Sequence, residues 1–245
     1  MTYCVGLKLS AGLVLLADTR TNAGIDKIGR FRKMFVFEDP GERVLVLMTA
    51  GNLGVTQGVI NRIETGVKRS RLDPAIESVM TCETLYEAAQ KVGQAMQEVQ
   101  SRDRAKIEAQ GAAADATIIM AGQRRGGDLR LFQIYTAGNF IEASDDTPYL
   151  QIGEHKYGKP ILDRVIRPET SLDDAIKAAL VSMDSTLRSN LSVGMPLDLL
   201  VIKTNEYRAS FRQRIDGDHK EFRQISDGWA NALLDAFAGL PTIKI

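Results

Sequence analysis

Five consecutive apolar residues near the start of the chain restrict its fold more than any other feature. Residues 13–17 are all apolar, and they follow a tight turn at residues 10–12. A run without polar alternation is typical of a strand that is buried on both faces. Residues 2–8 alternate in the manner of a strand. These segments predict a hairpin whose second strand lies inside the protein and ends near Asp18.

Further strands are expected along the whole chain, because short apolar runs recur between turn residues. Residues 21–32 are polar and contain two glycines, so they predict a loop or an irregular strand. The other predicted strands are residues 34–37, 44–49, 116–121, 129–135, 139–143, 148–152, 197–203 and 207–212.

Helices are predicted between these groups of strands. Thr84 and Glu87 have the spacing of a capping box, and an apolar face with a three-four repeat follows them. Gly51 is expected to open an earlier helix that ends near Arg62, whereas the pattern of residues 62–81 is ambiguous. The remaining predicted helices begin at Ser171 and Glu221.

The order of these elements indicates an α+β fold. Strands, two helices, strands, a helix, strands and a final helix do not give the regular alternation of a parallel sheet. Two antiparallel sheets with helix pairs on both outer faces fit this order. Because no linker-like segment or internal repeat divides residues 1–245, we expect a single domain.

Composition excludes several classes of function. Lysine and arginine total 31, as do aspartate and glutamate, which argues against a surface for nucleic acid or anionic membrane. No apolar run reaches membrane-spanning length, and no secretory signal is visible, so a cytoplasmic protein is expected. Cys4 and Cys82 lack metal-ligand spacing, and His155 and His219 are the only histidines. We therefore expect neither a metal nor a cofactor.

Thr2 is the first candidate for chemistry. Removal of Met1 places a hydroxyl and a free α-amine on one residue, which supplies a nucleophile and its base. No propeptide precedes Thr2, so only that removal is expected to be needed. The alternative is an ordinary start, since many chains begin with Met-Thr and have no catalytic use for the threonine.

Three further residues fit such a site. Lys33 is a candidate for the cation that favours a neutral amine, and Asp18 can supply the anion that a buried lysine needs. Gly51 lies where a buried strand turns toward a helix, so its backbone N–H can stabilise an oxyanion. The alternatives are two ordinary surface charges and a turn glycine.

Two serines precede Gly194 in a polar stretch. Ser189 and Ser192 can each hydrogen-bond an amine, or they are simple loop serines. The residues alone do not decide between these possibilities.

Together these features resemble the β-type proteasome subunits among the N-terminal nucleophile hydrolases. The stretches that carry this resemblance are residues 2–8, 12, 17–20, 31–34 and 49–51. More narrowly, the chain is similar to the Anbu family, the bacterial "ancestral beta subunit" relatives of the proteasome and of the HslV peptidase. The stretches that carry this narrower similarity are residues 1–6, 17–24, 31–35, 47–53 and 187–201.

The resemblance implies a four-layer αββα sandwich and self-assembly into rings or ring-like spirals. It implies that Thr2 is the nucleophile, that Asp18 and Lys33 support it, and that Gly51 donates to the oxyanion. Ser192 falls where the family has a serine near the threonine amine. Ser189 stands where proteasome β subunits carry an aspartate.

Three functions follow as hypotheses. The first is a threonine-type hydrolase that cuts peptide or peptide-like amide bonds inside a self-assembled chamber. The second is HslV-like proteolysis, in which a separate ATPase partner unfolds the substrate, because the chain has no Walker motif. The third is an assembly scaffold with a vestigial site, which the change at Ser189 motivates.

Overall fold

The computed structural model describes residues 2–22 and 28–243 of the chain. Met1, whose removal is expected to expose Thr2, lies outside the described residues. The strands are β1 Tyr3–Leu9, β2 Gly12–Asp18, β3 Arg20–Asn22, β4 Ile28–Arg30, β5 Met34–Asp39, β6 Arg43–Gly51, β7 Ala116–Arg124, β8 Arg130–Ile134, β9 Phe140–Glu142, β10 Tyr149–Gly153, β11 Leu197–Lys203 and β12 Phe211–Ile215. The helices are α1 Leu53–Leu72, α2 Leu85–Glu108, α3 Lys159–Val165, α4 Leu172–Ser189 and α5 Lys220–Ala238.

The described strands form two five-stranded antiparallel sheets and a short ribbon. The first sheet has the order β10-β1-β2-β11-β12, and the second has the order β5-β6-β7-β8-β9. Strands β3 and β4 pair with each other. Because β2 pairs with β1 on one side and β11 on the other, it lies at the centre of its sheet.

The alternation of β2 explains its uninterrupted apolar sequence. Leu13 and Leu15 are buried in the layer between the two sheets. Val14 and Leu16 belong to the cluster on the opposite face, where the sheet packs against α4. A central strand of a sandwich covered by helices needs apolar side chains on both faces. The prediction for residues 13–17 is therefore confirmed.

Helices cover both outer faces. Helices α1 and α2 pack on the second sheet, and α3 and α4 pack on the first. Helix α5 contacts α4 and contributes the buried Phe222 to the same cluster. The layer order is helix, sheet, sheet, helix, which confirms the expected α+β fold and its αββα sandwich.

Sequence patterns located some helix ends well and others poorly. The capping box at α2 is confirmed, because Thr84 Oγ1 accepts the Glu87 N–H at 3.1 Å and the Thr84 N–H donates to Glu87 Oε2 at 3.0 Å. The prediction that α1 opens at Gly51 and ends near Arg62 was wrong. Gly51 is the last residue of β6, and α1 continues to Leu72.

Two other differences concern short elements. Helix α3 was not predicted. Strand β12 begins at Phe211, whereas a strand was expected over residues 207–212, because Tyr207 adopts a positive φ of 52° in the turn before it. None of the described helices is long and apolar enough to cross a membrane.

Candidate active site

A cavity of about 340 Å³ lies where β1 begins and β6 ends. Thr2, Lys33 and Gly51, which are far apart in the sequence, all line it. Thr49 and Thr56 add polar groups to its wall. The fold therefore brings three of the predicted residues to one concave site.

Asp18 connects several parts of this site through hydrogen bonds. It is the last residue of β2 and is completely buried. Its Oδ1 accepts hydrogen bonds from Lys33 Nζ at 2.7 Å and from the Tyr3 N–H at 3.0 Å, and its Oδ2 accepts the Gly194 N–H at 3.2 Å. Lys33 Nζ also donates to the Arg20 carbonyl. The carboxylate thus fixes the ammonium, the first strand and the loop before β11.

Burial and charge act on Asp18 in opposite directions. Burial raises the pKa of the Asp18 carboxyl, while the charge of Lys33 and the hydrogen bonds from Lys33, Tyr3 and Gly194 lower it. Lys33 is only 4% exposed. The site therefore holds the Lys33 amino group against the buried Asp18 carboxyl, with little exposure of either side chain.

Thr2 is held by the end of β10. The Glu154 N–H donates to the Thr2 carbonyl at 2.6 Å. Gly153 has a φ of +81°, and a Cβ there would lie 2.0 Å from the Thr2 oxygen. Only glycine permits this close approach. Sequence reasoning missed both residues, although a glycine that directly follows a predicted strand is a visible signal.

The backbone conformation of Gly51 is strained, and its position in β6 sets the direction of its N–H. Its φ is +106°, and a Cβ would lie 2.2 Å from the Asp115 carbonyl oxygen. The Thr49 N–H donates to the Lys33 carbonyl at 3.0 Å. The direction of N–H groups repeats every two residues in a strand. The Gly51 N–H therefore points to the same side of β6 as the Thr49 N–H, which is the side of β5, at a level that lies past the start of β5 at Met34. That side borders the cavity.

The two predicted serines have other surroundings. Ser189 is the last residue of α4, is exposed and lines the groove between α4 and α5. Ser192 is half-buried, and its N–H donates to Asn190 Oδ1 at 2.9 Å. Among the described residues that line the Thr2 cavity there is neither serine. Of the two possibilities left open for Ser189, a partner of an amine or a simple loop serine, neither describes its position, because α4 extends through Ser189 and places it in the groove with α5.

The loop between α4 and β11 contributes other residues instead. Asn190 Nδ2 donates to Glu154 Oε2 at 3.0 Å. Arg20 donates to the Leu191 carbonyl at 2.9 Å, and Thr19 Oγ1 donates to the Pro196 carbonyl at 2.7 Å. Sequence reasoning missed these contacts, since each joins residues that are far apart in the chain. Among the described residues, no group of three or more His, Cys, Asp or Glu side chains is placed to hold a metal.

Comparison with known proteins identifies the family of the chain. Residues 2–202 match the family described as Proteasome subunit. The curated proteasome subunit alpha of Methanosphaerula palustris is 23% identical over 217 residues, which cover 87% of this chain and 81% of that protein.

Solved structures give closer matches. Anbu (ancestral beta-subunit) from Yersinia bercovieri is 46% identical with a TM-score of 0.91, and the match covers 99% of this chain and 100% of that one. Anbu from Hyphomicrobium sp. strain MC1 is 45% identical, with a TM-score of 0.91 and coverage of 99% and 100%. A structure described as the helical assembly of the Anbu complex from Pseudomonas aeruginosa is 44% identical, with a TM-score of 0.91 and coverage of 99% and 98%.

Two antiparallel sheets between helix layers, together with the family match over residues 2–202, make this chain a proteasome-type subunit. The chain belongs to the proteasome subunit family and, within that family, to the Anbu proteins. Both levels of the sequence resemblance are therefore confirmed.

Proposed function

We propose that the protein is a threonine-type hydrolase that cuts peptide or peptide-like amide bonds, with Thr2 as the nucleophile after Met1 has been removed. The observation that carries this proposal is the cavity that Thr2 shares with Lys33 and Gly51. A nucleophile, a cation and an oxyanion donor are the parts that acyl transfer needs.

The reaction follows from these positions. The α-amine of Thr2 takes the proton of Thr2 Oγ1, directly or through one water, and Oγ1 attacks the carbonyl carbon of the substrate. The Gly51 N–H donates to the oxyanion that forms. When the intermediate collapses, the C–N bond breaks, and the α-ammonium gives its proton to the departing amine. Water then hydrolyses the ester on Thr2 and regenerates the hydroxyl.

Lys33 and Asp18 act on this chemistry through charge. The Lys33 ammonium favours the neutral form of the nearby α-amine, which is the form that can accept a proton. Asp18 keeps Lys33 in place and supplies its counter-charge at 2.7 Å. Ser192 contributes through its backbone, which joins Asn190 to the loop beside the site.

Self-association into a ring or spiral is also part of the proposal. The relative from Pseudomonas aeruginosa is described as a helical assembly. Three apolar side chains on α5 support the same behaviour here, since Leu233, Leu234 and Phe237 are 49%, 67% and 75% exposed. A contiguous apolar patch of this kind marks an interaction site. We assign it to a second copy of the chain.

Intact mass after exposure to a β-lactone tests the catalytic proposal. We expect a chain without Met1 that carries one adduct, mapped by peptide mass to Thr2, and no adduct in Thr2→Ala. A chain that lacks Met1 yet takes up neither a β-lactone nor an epoxyketone would contradict the proposal and favour the scaffold.

A further inference from the structure

The peptide group that joins Thr2 to Tyr3 is held from both sides. The Glu154 N–H donates to its carbonyl at 2.6 Å. Its N–H donates to Asp18 Oδ1 at 3.0 Å. Because one rigid planar unit carries both bonds, they fix the orientation of the backbone between Thr2 and the first residue of β1.

A side-chain hydrogen bond connects Glu154 to the end of α4. Glu154 Oε2 accepts from Asn190 Nδ2 at 3.0 Å. Asn190 is the C-cap of α4, and its Oδ1 accepts the Ser192 N–H at 2.9 Å. The end of β10 is therefore tied to the end of α4 through a single amide side chain.

The loop then closes a circuit around Thr2. Two residues after Ser192, the Gly194 N–H donates to Asp18 Oδ2 at 3.2 Å. The contacts run from Thr2 through Glu154, Asn190 and this loop to Asp18, and from Asp18 back to the N–H of Tyr3. Of the links in this circuit, only the bond between Glu154 and Asn190 joins two side chains.

We propose that Glu154 and Asn190 are positioning residues that fix the orientation of Thr2 for attack, an inference that rests on the proposed function. Among the described residues that line the Thr2 cavity there is neither Glu154 nor Asn190. Their hydrogen bonds reach Thr2 through the backbone of Glu154 and through the loop to Asp18, so they act on the nucleophile indirectly. A displacement of the nucleophile by about 1 Å is enough to slow a reaction by about 100-fold.

Asn190→Asp removes the hydrogen bond that Asn190 Nδ2 donates to Glu154. The new carboxylate faces that of Glu154 and cannot donate to it, yet it still offers an oxygen to the Ser192 N–H. We expect the maximal rate constant for β-lactone acylation of Thr2 to fall by about 10- to 100-fold. The half-saturating β-lactone concentration should stay within about threefold of the original, since the binding surface is unchanged.

The double variant Glu154→Gln with Asn190→Asp reverses the polarity of the link. The glutamine amide then donates to the new carboxylate, so the connection is restored. We expect its acylation rate constant to return to within about threefold of the original. Asn231→Asp, on the exposed surface of α5, is the matched control for an added charge. Intact mass verifies that Met1 is absent from each variant.

The outcomes separate this inference from the function on which it rests. An original chain that lacks Met1 and is never acylated overturns both. An original chain acylated at Thr2, together with Asn190→Asp that reacts at the original rate, overturns only the positioning role. If Asn190→Asp is slow and the double variant is equally slow, the link between the two side chains does not set the rate, and the positioning role is overturned as well.

Discussion

Lys33 Nζ lies 2.7 Å from Asp18 Oδ1, and the side chains of the two residues are 5% and 0% exposed. A pair this deeply buried has lost its hydration and depends on the mutual attraction of its charges. The arrangement gives the Thr2 cavity a cation that is largely removed from bulk water. It also makes each partner costly to remove alone.

Lys33→Met tests how much the fold depends on the pair. Removal of the ammonium leaves Asp18 as an uncompensated buried carboxylate, which is expected to lower the free energy of unfolding by about 3 kcal/mol at pH 7. Acylation of Thr2 should be lost as well. Urea unfolding at several pH values measures the first effect, and an unchanged midpoint at pH 7 would contradict it.

The pH dependence of this loss follows from the direction of the pKa shift. Burial raises the folded-state pKa of Asp18 above 3.8, and Lys33 lowers it, so the variant has a still higher pKa. A carboxyl with a raised folded-state pKa loses stability as the pH rises from its unfolded pKa through its folded pKa. The penalty of Lys33→Met should therefore be smallest near pH 3.8 and grow as the pH rises.

Gly51→Ala tests the strained end of β6. The added Cβ meets the Asp115 carbonyl at 2.2 Å in a backbone with φ of +106°, so we expect a loss of about 3 kcal/mol and a closed or distorted cavity. Gly54→Ala, in the first turn of α1, is the control. Apart from its chain neighbours and its own helix backbone, the nearest described atom to its Cβ would be Asn52 Oδ1 at 3.4 Å, and a gain of about 0.5 kcal/mol is expected. Equal changes in the free energy of unfolding for the two substitutions would contradict the proposed backbone strain at Gly51.

The cysteines should be inert in the folded protein. Burial raises the pKa of Cys4 strongly and that of Cys82 to about 11, so both thiols stay protonated at pH 8. We expect no adduct after iodoacetamide treatment of the native chain, and an adduct at each cysteine in denaturant. A native adduct would show that electrophile labelling also reports on a thiol.

Local patterns predicted most of the fold. The apolar run in β2 and the capping box of α2 each report a short-range requirement, namely burial on two faces and the satisfaction of free N–H groups. The end of α1 was harder to predict. Val67 continues its apolar face for a further turn, but a polar sequence around it weakens the periodic signal.

The site could be predicted only in part. A buried lysine needs an anionic partner, and Asp18 was one candidate for it, with two ordinary surface charges as the alternative. The structure contains the pair of Lys33 and Asp18. Glu154 and Asn190 gave no such signal. Their partnership depends on how the end of β10 meets the end of α4, which is a long-range relationship between residues with no periodic pattern in common.

Phe237→Glu tests the surface of α5. Phe237 is 75% exposed, so a charge there should change the stability of the subunit by less than about 0.5 kcal/mol. If a second copy covers this face, the same charge is buried on association and carries a large desolvation cost. We expect light scattering to give a multi-subunit mass for the original chain and a smaller mass for the variant.

Gln224→Glu adds the same charge at another exposed position of α5 and should keep the original mass. Equal masses for all three chains would assign self-association to another surface.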